Sequence, residues 1–182
     1  MTKPTIERTL LLLRHAKAEH VKGKPDRDRE LAPRGRKDAR AVGEWLRDAS
    51  LAGVVPSAVL DIVLCSTSER TRQTLDAACA GGAGVKDARF DERIYDASAA
   101  SLIDVLREVP ASVNTVLLIG HAPGIPVLAT ALAQDGAGST DAAERLSQGF
   151  PTCGLAVLGF EGRWAELAPG TAYLQAFVVP RG

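Results

Sequence analysis

The stretch LLLRHAKAEH, residues 11–20, runs from apolar residues directly into an arginine and a histidine. The apolar run is long enough to cross a sheet and far too short to cross a membrane. A short continuous run of this kind is typical of a strand that is buried on both faces of a parallel sheet. In open α/β sheets, ligands bind at the carboxyl ends of the strands. Arg14 and His15 therefore lie where such a sheet would place its chemistry.

Strand-like and helix-like segments alternate along the chain. Strands are predicted at residues 9–14, 59–66, 85–91, 114–121, 153–160 and 172–179, and helices at residues 33–48, 66–82, 98–109 and 125–134. This alternation predicts an α/β fold, a single three-layer α/β/α domain over residues 1–182 with a mostly parallel central sheet. The stretch 134–140, which is rich in glycine and alanine, is predicted to be a flexible loop.

The composition is that of an ordinary globular protein. Hydrophobic residues make up 46% of the chain, and 22 basic residues balance 22 acidic ones. This neutral total argues against a dedicated nucleic-acid-binding protein. The three cysteines have no paired spacing, which indicates free thiols in a reducing compartment. Because there is no signal-peptide pattern and no apolar stretch of membrane-spanning length, we expect a cytoplasmic protein without membrane attachment.

Three predicted strands end on residues that could together bind an anion. Arg14 and His15 end the first strand, Ser66 the second and His121 the fourth, while Arg70 lies in the first turn of the helix after Ser66. Carboxyl ends of parallel strands share one edge, so we expect these side chains to share a crevice. Arginine and a helix N-terminus suit phosphate oxygens, and a neutral histidine can act as a nucleophile. The set favours phosphoryl transfer through a phosphorylated histidine.

Each of these residues also has a purely structural interpretation. A histidine at a strand end can be a hydrogen-bonded structural residue, and an arginine a solvated surface residue. Residues 66–69 match a capping box, which would account for Ser66 and Glu69 without catalysis. The functional interpretation therefore depends on the residues occurring together. No GxxxxGK[ST] motif is present, and no acidic or His/Cys cluster has metal-ligand spacing, so we expect neither a metal nor another cofactor.

Three motifs, in this order, resemble the histidine phosphatase superfamily, which has the phosphoglycerate mutase-like fold. LLLRHAKAE (11–19) is similar to its opening motif, with Ala16 in place of the usual glycine. CSTSERTRQT and VLLIGHAPG are similar to its second and third motifs. The resemblance implies that His15 is the nucleophile that becomes phosphorylated. It also implies that Arg14, Arg70 and His121 bind the transferred phosphoryl group, and we place Ser66 in the same phosphate-binding set.

A further phosphate-binding arginine is implied by the segment RELAPRGRKDA (29–39). It resembles the stretch that carries such an arginine before an L-T-x-x-G turn, which makes Arg29 the matching position. Ala32 stands in place of the usual threonine. The alternative is that Arg29 belongs to a solvated, charged loop.

A general acid is implied by the segment FDERIYDAS (90–98), which offers Asp91, Glu92 and Asp96. Glu92 matches the family position best, in a pattern like P-E-x-x-Y. Such an acid matters most for an alcohol leaving group and less for the imidazole of a phosphohistidine.

The short chain and the segments RHAKAE, RELAPRGR and ERIYDAS resemble the SixA-type branch, which is associated with phosphohistidine phosphatase activity on phosphotransfer proteins. Only a short predicted helix lies between Glu92 and His121, which leaves little chain for a lid, and an open site suits a phosphorylated protein side chain. Two alternatives stay open: a phosphatase of the same fold acting on a small phosphorylated metabolite such as a nucleotide or sugar phosphate, and a non-catalytic phosphate-binding module. His20 has no predicted role beyond that of an exposed loop residue.

Overall fold

Seven strands form one sheet in the computed structural model, which describes residues 7–182. They are β1 (Glu7–Arg14), β2 (Val59–Cys65), β3 (Gly84–Phe90), β4 (Thr115–Gly120), β5 (Ala133–Gly138), β6 (Leu155–Glu161) and β7 (Ala172–Val178). Their order across the sheet is β3-β2-β4-β1-β6-β7-β5. Strand β6 pairs antiparallel with β1 and β7, and the other pairs are parallel. The predicted mostly parallel sheet is confirmed, while residues 1–6 of the predicted domain lie outside the described part.

Helices lie against both faces of this sheet. Within residues 7–182 they are α1 (Pro33–Leu51), α2 (Glu69–Ala80), α3 (Ala99–Arg107), α4 (Gly124–Leu132) and α5 (Thr140–Ser147). All of them are too short or too polar to span a lipid bilayer.

The leucines of β1 show how the opening stretch organises the core. Leu10 and Leu12 pack into an apolar cluster with residues of α3 and α4. Leu11 and Leu13 pack into a second cluster with residues of α1 and α2. The four leucines alternate between the two clusters because successive side chains of a strand point to opposite faces. All four are 0% exposed. The strand is therefore buried on both faces, and the predicted three-layer arrangement is confirmed.

The stretch 134–140 differs from the prediction of a flexible loop. Residues 133–138 form β5, which pairs parallel with β7 at the sheet edge. Helix α5 follows it, and the Ser139 side chain caps this helix by accepting a hydrogen bond from the backbone N–H of Ala142. Backbone pairing builds this strand without an apolar pattern. Gly138 has a φ of 91° and lies so close to β7 that an added Cβ would be 2.2 Å from the carbonyl oxygen of Leu174.

Candidate active site

The carboxyl ends of β1, β2 and β4 open into a cavity of about 390 Å³. Its lining consists of Arg14, His15, Asp26, Arg70, Tyr95, Asp96, His121 and Ala122. Parallel pairing sets Arg14 opposite Gly120, so the residues that follow β1 and β4 lie side by side. The shared edge thus brings together the predicted Arg14, His15, Arg70 and His121.

His15 presents an unprotonated ring nitrogen to this cavity. Its Nδ1 lies 2.8 Å from the carbonyl oxygen of Ala16, so Nδ1 carries the proton and donates it there. Nε2 is then an acceptor, and Arg70 Nε donates to it at 3.3 Å. Burial, with smaller contributions from nearby positive charges, lowers the pKa of His15 to about 3. The ring is therefore neutral at neutral pH, as a nucleophile must be.

His121 lies beside His15, with the ring centroids 5.2 Å apart. Arg70 Nη2 donates to His121 Nδ1 at 3.2 Å, so His121 Nε2–H donates to Ser66 Oγ at 2.8 Å. Burial lowers the pKa of His121 to about 4. Ser66 is fully buried and reaches the site through His121, so it is a positioning residue.

The capping-box interpretation of residues 66–69 is wrong. The N-cap of α2 is Ser68, whose side chain makes no capping hydrogen bond. Its hydroxyl instead pairs with that of Thr71 at 2.9 Å. Ser66 lies two residues before this N-cap, and its hydroxyl accepts from His121 instead.

Arg14 is held by its backbone and by one nitrogen of its guanidinium group. Nη1 donates to the carbonyl oxygen of Phe150 at 2.8 Å, and the backbone N–H donates to that of Gly154. Arg14 Nε is buried and has no hydrogen-bond partner among residues 7–182. A buried donor of this kind requires a partner, and a phosphoryl oxygen in the cavity would supply one.

Arg70 joins the two histidines from the first turn of α2. Its guanidinium donates to both rings and also to Asp26, through Nη1 to the backbone oxygen at 2.6 Å and through Nη2 to Oδ2 at 2.9 Å. Arg70 is buried, so its position is fixed by packing as well as by these contacts. The arrangement places a neutral imidazole among fixed cationic donors, which suits the charge of a phosphoryl group in transfer.

Residues 10–114 match the sequence model of the histidine phosphatase superfamily, branch 1. The chain belongs to the histidine phosphatase superfamily. It is also 43% identical over 170 residues to an uncharacterized protein of Mycobacterium tuberculosis, an alignment that covers 93% of this chain and 100% of that protein.

Solved structures of the same superfamily resemble this histidine phosphatase. A candidate phosphohistidine phosphatase SixA from Nakamurella multipartitia is 37% identical, with a TM-score of 0.79 and 96% of each chain covered. Another candidate, from Agrobacterium tumefaciens, is 28% identical, with a TM-score of 0.73 and coverage of 98% of this chain and 100% of that one. A phosphoglycerate mutase from Plasmodium falciparum, at 18% identity and a TM-score of 0.60 over 97% and 93% of the chains, shows the same fold. The phosphoglycerate mutase-like fold is thereby confirmed.

Asp26 and Tyr95 line the cavity of this phosphatase and were missed by the sequence analysis. The Tyr95 hydroxyl donates to Asp26 Oδ2 at 2.7 Å. This hydrogen bond, with those from Arg29 and Arg70, holds the pKa of Asp26 well below its usual range, so its side chain is a carboxylate. Asp26 lies outside the quoted motifs. Tyr95 is the last residue of the pattern like P-E-x-x-Y that pointed to Glu92, but its side chain was given no role.

Arg29 reaches the cavity only through another residue. Its Nε donates to the backbone oxygen of Glu19 at 2.9 Å, and its Nη1 pairs with Asp26 Oδ1 at 3.1 Å. Arg29 is outside the described cavity lining, which argues against the predicted direct contact with phosphate. Arg29 instead positions Asp26 through this ion pair.

Glu92 is also outside the described lining of the cavity. It lies in the short 3-10 turn Glu92–Ile94, is exposed, and pairs with Arg27 Nη1 at 2.6 Å. This ion pair lowers the pKa of Glu92, so it is poorly suited to donate a proton. Of the three carboxylates considered for the general acid, Asp96 lines the cavity, whereas Asp91 pairs with Arg93. The placement argues against Glu92 as the acid.

The positive charge facing the cavity comes from Arg14 and Arg70. Among the described residues, no group of three or more His, Cys, Asp or Glu side chains is arranged to hold a metal ion. His20 is exposed, as expected.

Proposed function

We propose that this histidine phosphatase is a SixA-type protein phosphohistidine phosphatase. The observation that carries the proposal is the neutral His15, whose Nε2 faces the cavity between cationic donors. The likeness to the candidate SixA of Nakamurella multipartitia supports the choice of branch. The substrate would be a phosphorylated protein, and the products a free histidine side chain and inorganic phosphate.

In the first step, the lone pair of His15 Nε2 attacks phosphorus while the bond from phosphorus to the substrate imidazole breaks. Arg70 shifts its Nε–H from His15 to a phosphoryl oxygen, and the Arg14 guanidinium, which lines the cavity, donates to another. In the second step, water attacks the phosphorus on His15, and the restored ring leaves with its proton on Nδ1. Two steps with good leaving groups replace one difficult hydrolysis.

The surroundings of the cavity support a protein substrate. Only a 3-10 turn and α3 lie between β3 and β4, so the chain has no long insertion there to cover the site. A phosphorylated side chain on a protein surface needs an opening of this kind. A small phosphorylated metabolite is the second candidate, and the same experiment tests it.

The test is an acid-sensitive phosphoenzyme trap. The protein is mixed with a phosphoprotein that carries labelled phosphohistidine, in the presence of a chelator. The reaction is quenched within milliseconds, and the two proteins are separated by size. We expect label on the wild type, none on His15→Ala, and undiminished label on His20→Ala, which removes an exposed histidine. Circular dichroism confirms that the variants are folded.

Two results would overturn the proposal. Label on His15→Ala would show that another group is the nucleophile. An unlabelled wild type that releases no phosphate would exclude phosphohistidine as the donor, and small phosphate esters would then be tried with the same variants.

A further inference from the structure

The cavity has arginines in its interior and two carboxylates at its mouth. Arg70 and His121 are buried, whereas Asp96 is exposed and the Asp26 side chain is 51% exposed. Tyr95 contacts both groups: its hydroxyl donates to Asp26, and its ring packs edge-on against His121, with ring centroids 5.3 Å apart. The interior matches a phosphoryl group, and the carboxylates at the mouth can accept a hydrogen bond, which the anionic oxygen that leaves a phosphate ester cannot donate.

Asp26 is fixed as an anion by donors on several sides. Tyr95 and Arg70 donate to Oδ2, and Arg29 pairs with Oδ1. A carboxylate held in this way cannot protonate a leaving group, but the half-exposed side chain can accept a further hydrogen bond from a molecule in the cavity. Arg70 donates both to His15 and to Asp26, and both residues line the cavity, so Asp26 borders the space in which a phosphoryl donor would bind.

We propose that Asp26 and Tyr95 form a leaving-group subsite that selects phosphoryl donors in which phosphorus is bound to a protonated nitrogen heterocycle. This inference deepens the proposed function and rests on it. The donor is an imidazole phosphorylated on one nitrogen and protonated on the other. The protonated nitrogen donates to the Asp26 carboxylate, and the ring packs against Tyr95.

The chemical balance favours such a donor. As the bond between His15 Nε2 and phosphorus forms, the bond from phosphorus to the donor nitrogen breaks and its electron pair returns to that nitrogen. The ring was already positive through its distal N–H, so it leaves as neutral imidazole and needs no acid. An oxygen ester leaves as an anion instead, and this anion has no N–H to donate to the Asp26 carboxylate.

The test compares two small donors with flat rings, phosphoimidazole and phenyl phosphate. For each, kcat/KM is measured with the wild type, Asp26→Asn, Tyr95→Phe and Asp28→Asn. Asp28 lies in the same 3-10 turn as Asp26, is exposed and lies outside the described cavity lining, so it is the matched control. We expect Asp26→Asn to lower the ratio of kcat/KM for phosphoimidazole to that for phenyl phosphate by about tenfold, the size of one charge-assisted hydrogen bond.

Tyr95→Phe should lower this ratio by a smaller factor, because it removes a donor that holds Asp26 in place, and Asp28→Asn should leave it unchanged. Equal changes in both activities in Asp26→Asn would overturn the inference, since a carboxylate that only competes with phosphate for Arg70 affects both donors alike. If the wild type instead hydrolyses phenyl phosphate and releases nothing from phosphoimidazole, the proposed function itself fails.

Discussion

The two halves of the sheet contribute to the site in different ways. The parallel half, β3-β2-β4-β1, supplies side chains: Arg14 ends β1 and His15 follows it, Ser66 follows β2 and His121 follows β4. The other half, β6-β7-β5, supplies backbone groups through the turn at residues 150–154 that leads into β6.

This turn holds Arg14 and His15 through its own main-chain atoms. The Phe150 carbonyl accepts from the Arg14 side chain, the Gly154 carbonyl accepts from the Arg14 N–H, and the Cys153 N–H donates to the carbonyls of Arg14 and His15. The parallel half, here called the chemical half, carries the side chains that we propose to react, and the other half with its turn at 150–154, here called the supporting half, holds Arg14 and His15 in place. Changes in the two halves should therefore affect different measurements.

The change with the largest expected effect on stability is Phe150→Ala in the supporting half. Phe150 is buried, and its ring packs against Phe177 with centroids 4.9 Å apart. Its loss should lower the free energy of unfolding by about 3–5 kcal/mol, as measured by urea denaturation. The carbonyl that accepts from Arg14 remains, so kcat of the folded variant should fall far less than tenfold. A large loss of kcat in the folded enzyme would show that the ring itself shapes the site.

The opposite pattern is expected for Arg70→Ala in the chemical half. Arg70 contacts both histidines, and removing one donor to developing charge typically costs about 10²–10³ in kcat, or about 2.7–4 kcal/mol. Arg72→Ala, two residues further along α2 and outside the described cavity lining, is the control and should keep its activity. Arg70→Lys should not restore the rate, because a lysine lacks the forked geometry. Restoration by lysine would indicate that charge alone is needed.

The chemical half was the more predictable from sequence. Four buried leucines identified β1, and because parallel strands share an edge, Arg14, His15, Arg70 and His121 could be placed in one crevice. These predictions depend on short-range patterns and on a general rule of sheet topology.

The supporting half and the mouth of the cavity were less predictable for a physical reason. The turn at 150–154 acts through backbone atoms, which every sequence carries. Strand β5 is held by edge pairing and lacks an apolar pattern. Asp26 is placed by tertiary contacts with Tyr95 and Arg70, and no local pattern encodes such contacts.

A smaller effect on the free energy of unfolding is expected from a change of pH. It should come from the histidines of the chemical half, His15 and His121. An unfolded histidine takes up a proton near pH 6.5, whereas folded His15 does so only at about pH 3. Between these values the unfolded chain binds more protons, so stability should fall as the pH drops below 6.5. Urea denaturation at pH 7.5 and pH 5 should show a loss of about 1–2 kcal/mol per buried histidine.

The variant His15→Ala should reduce this dependence on pH, and the exposed His20→Ala should not. If the stability of His15→Ala fell between pH 7.5 and pH 5 as much as that of the wild type, His15 would titrate in the folded protein as it does in the unfolded chain.

The smallest effect on turnover is expected from modifying the cysteines. One buried cysteine lies in each half, and the third cysteine is exposed. Cys65 ends β2 and Cys153 lies in the supporting turn; both are buried, and burial raises the pKa of each thiol to about 12. Cys79 on α2 is exposed. Because the thiolate is the reactive form, a thiol reagent should modify one cysteine in the native protein and all three in denaturant. Turnover should be unchanged after the native reaction, since Cys79 lies outside the described cavity lining. Rapid modification of Cys153 in the native protein, with loss of activity, would instead show that the turn at 150–154 opens and that its hydrogen bonds to Arg14 and His15 break transiently.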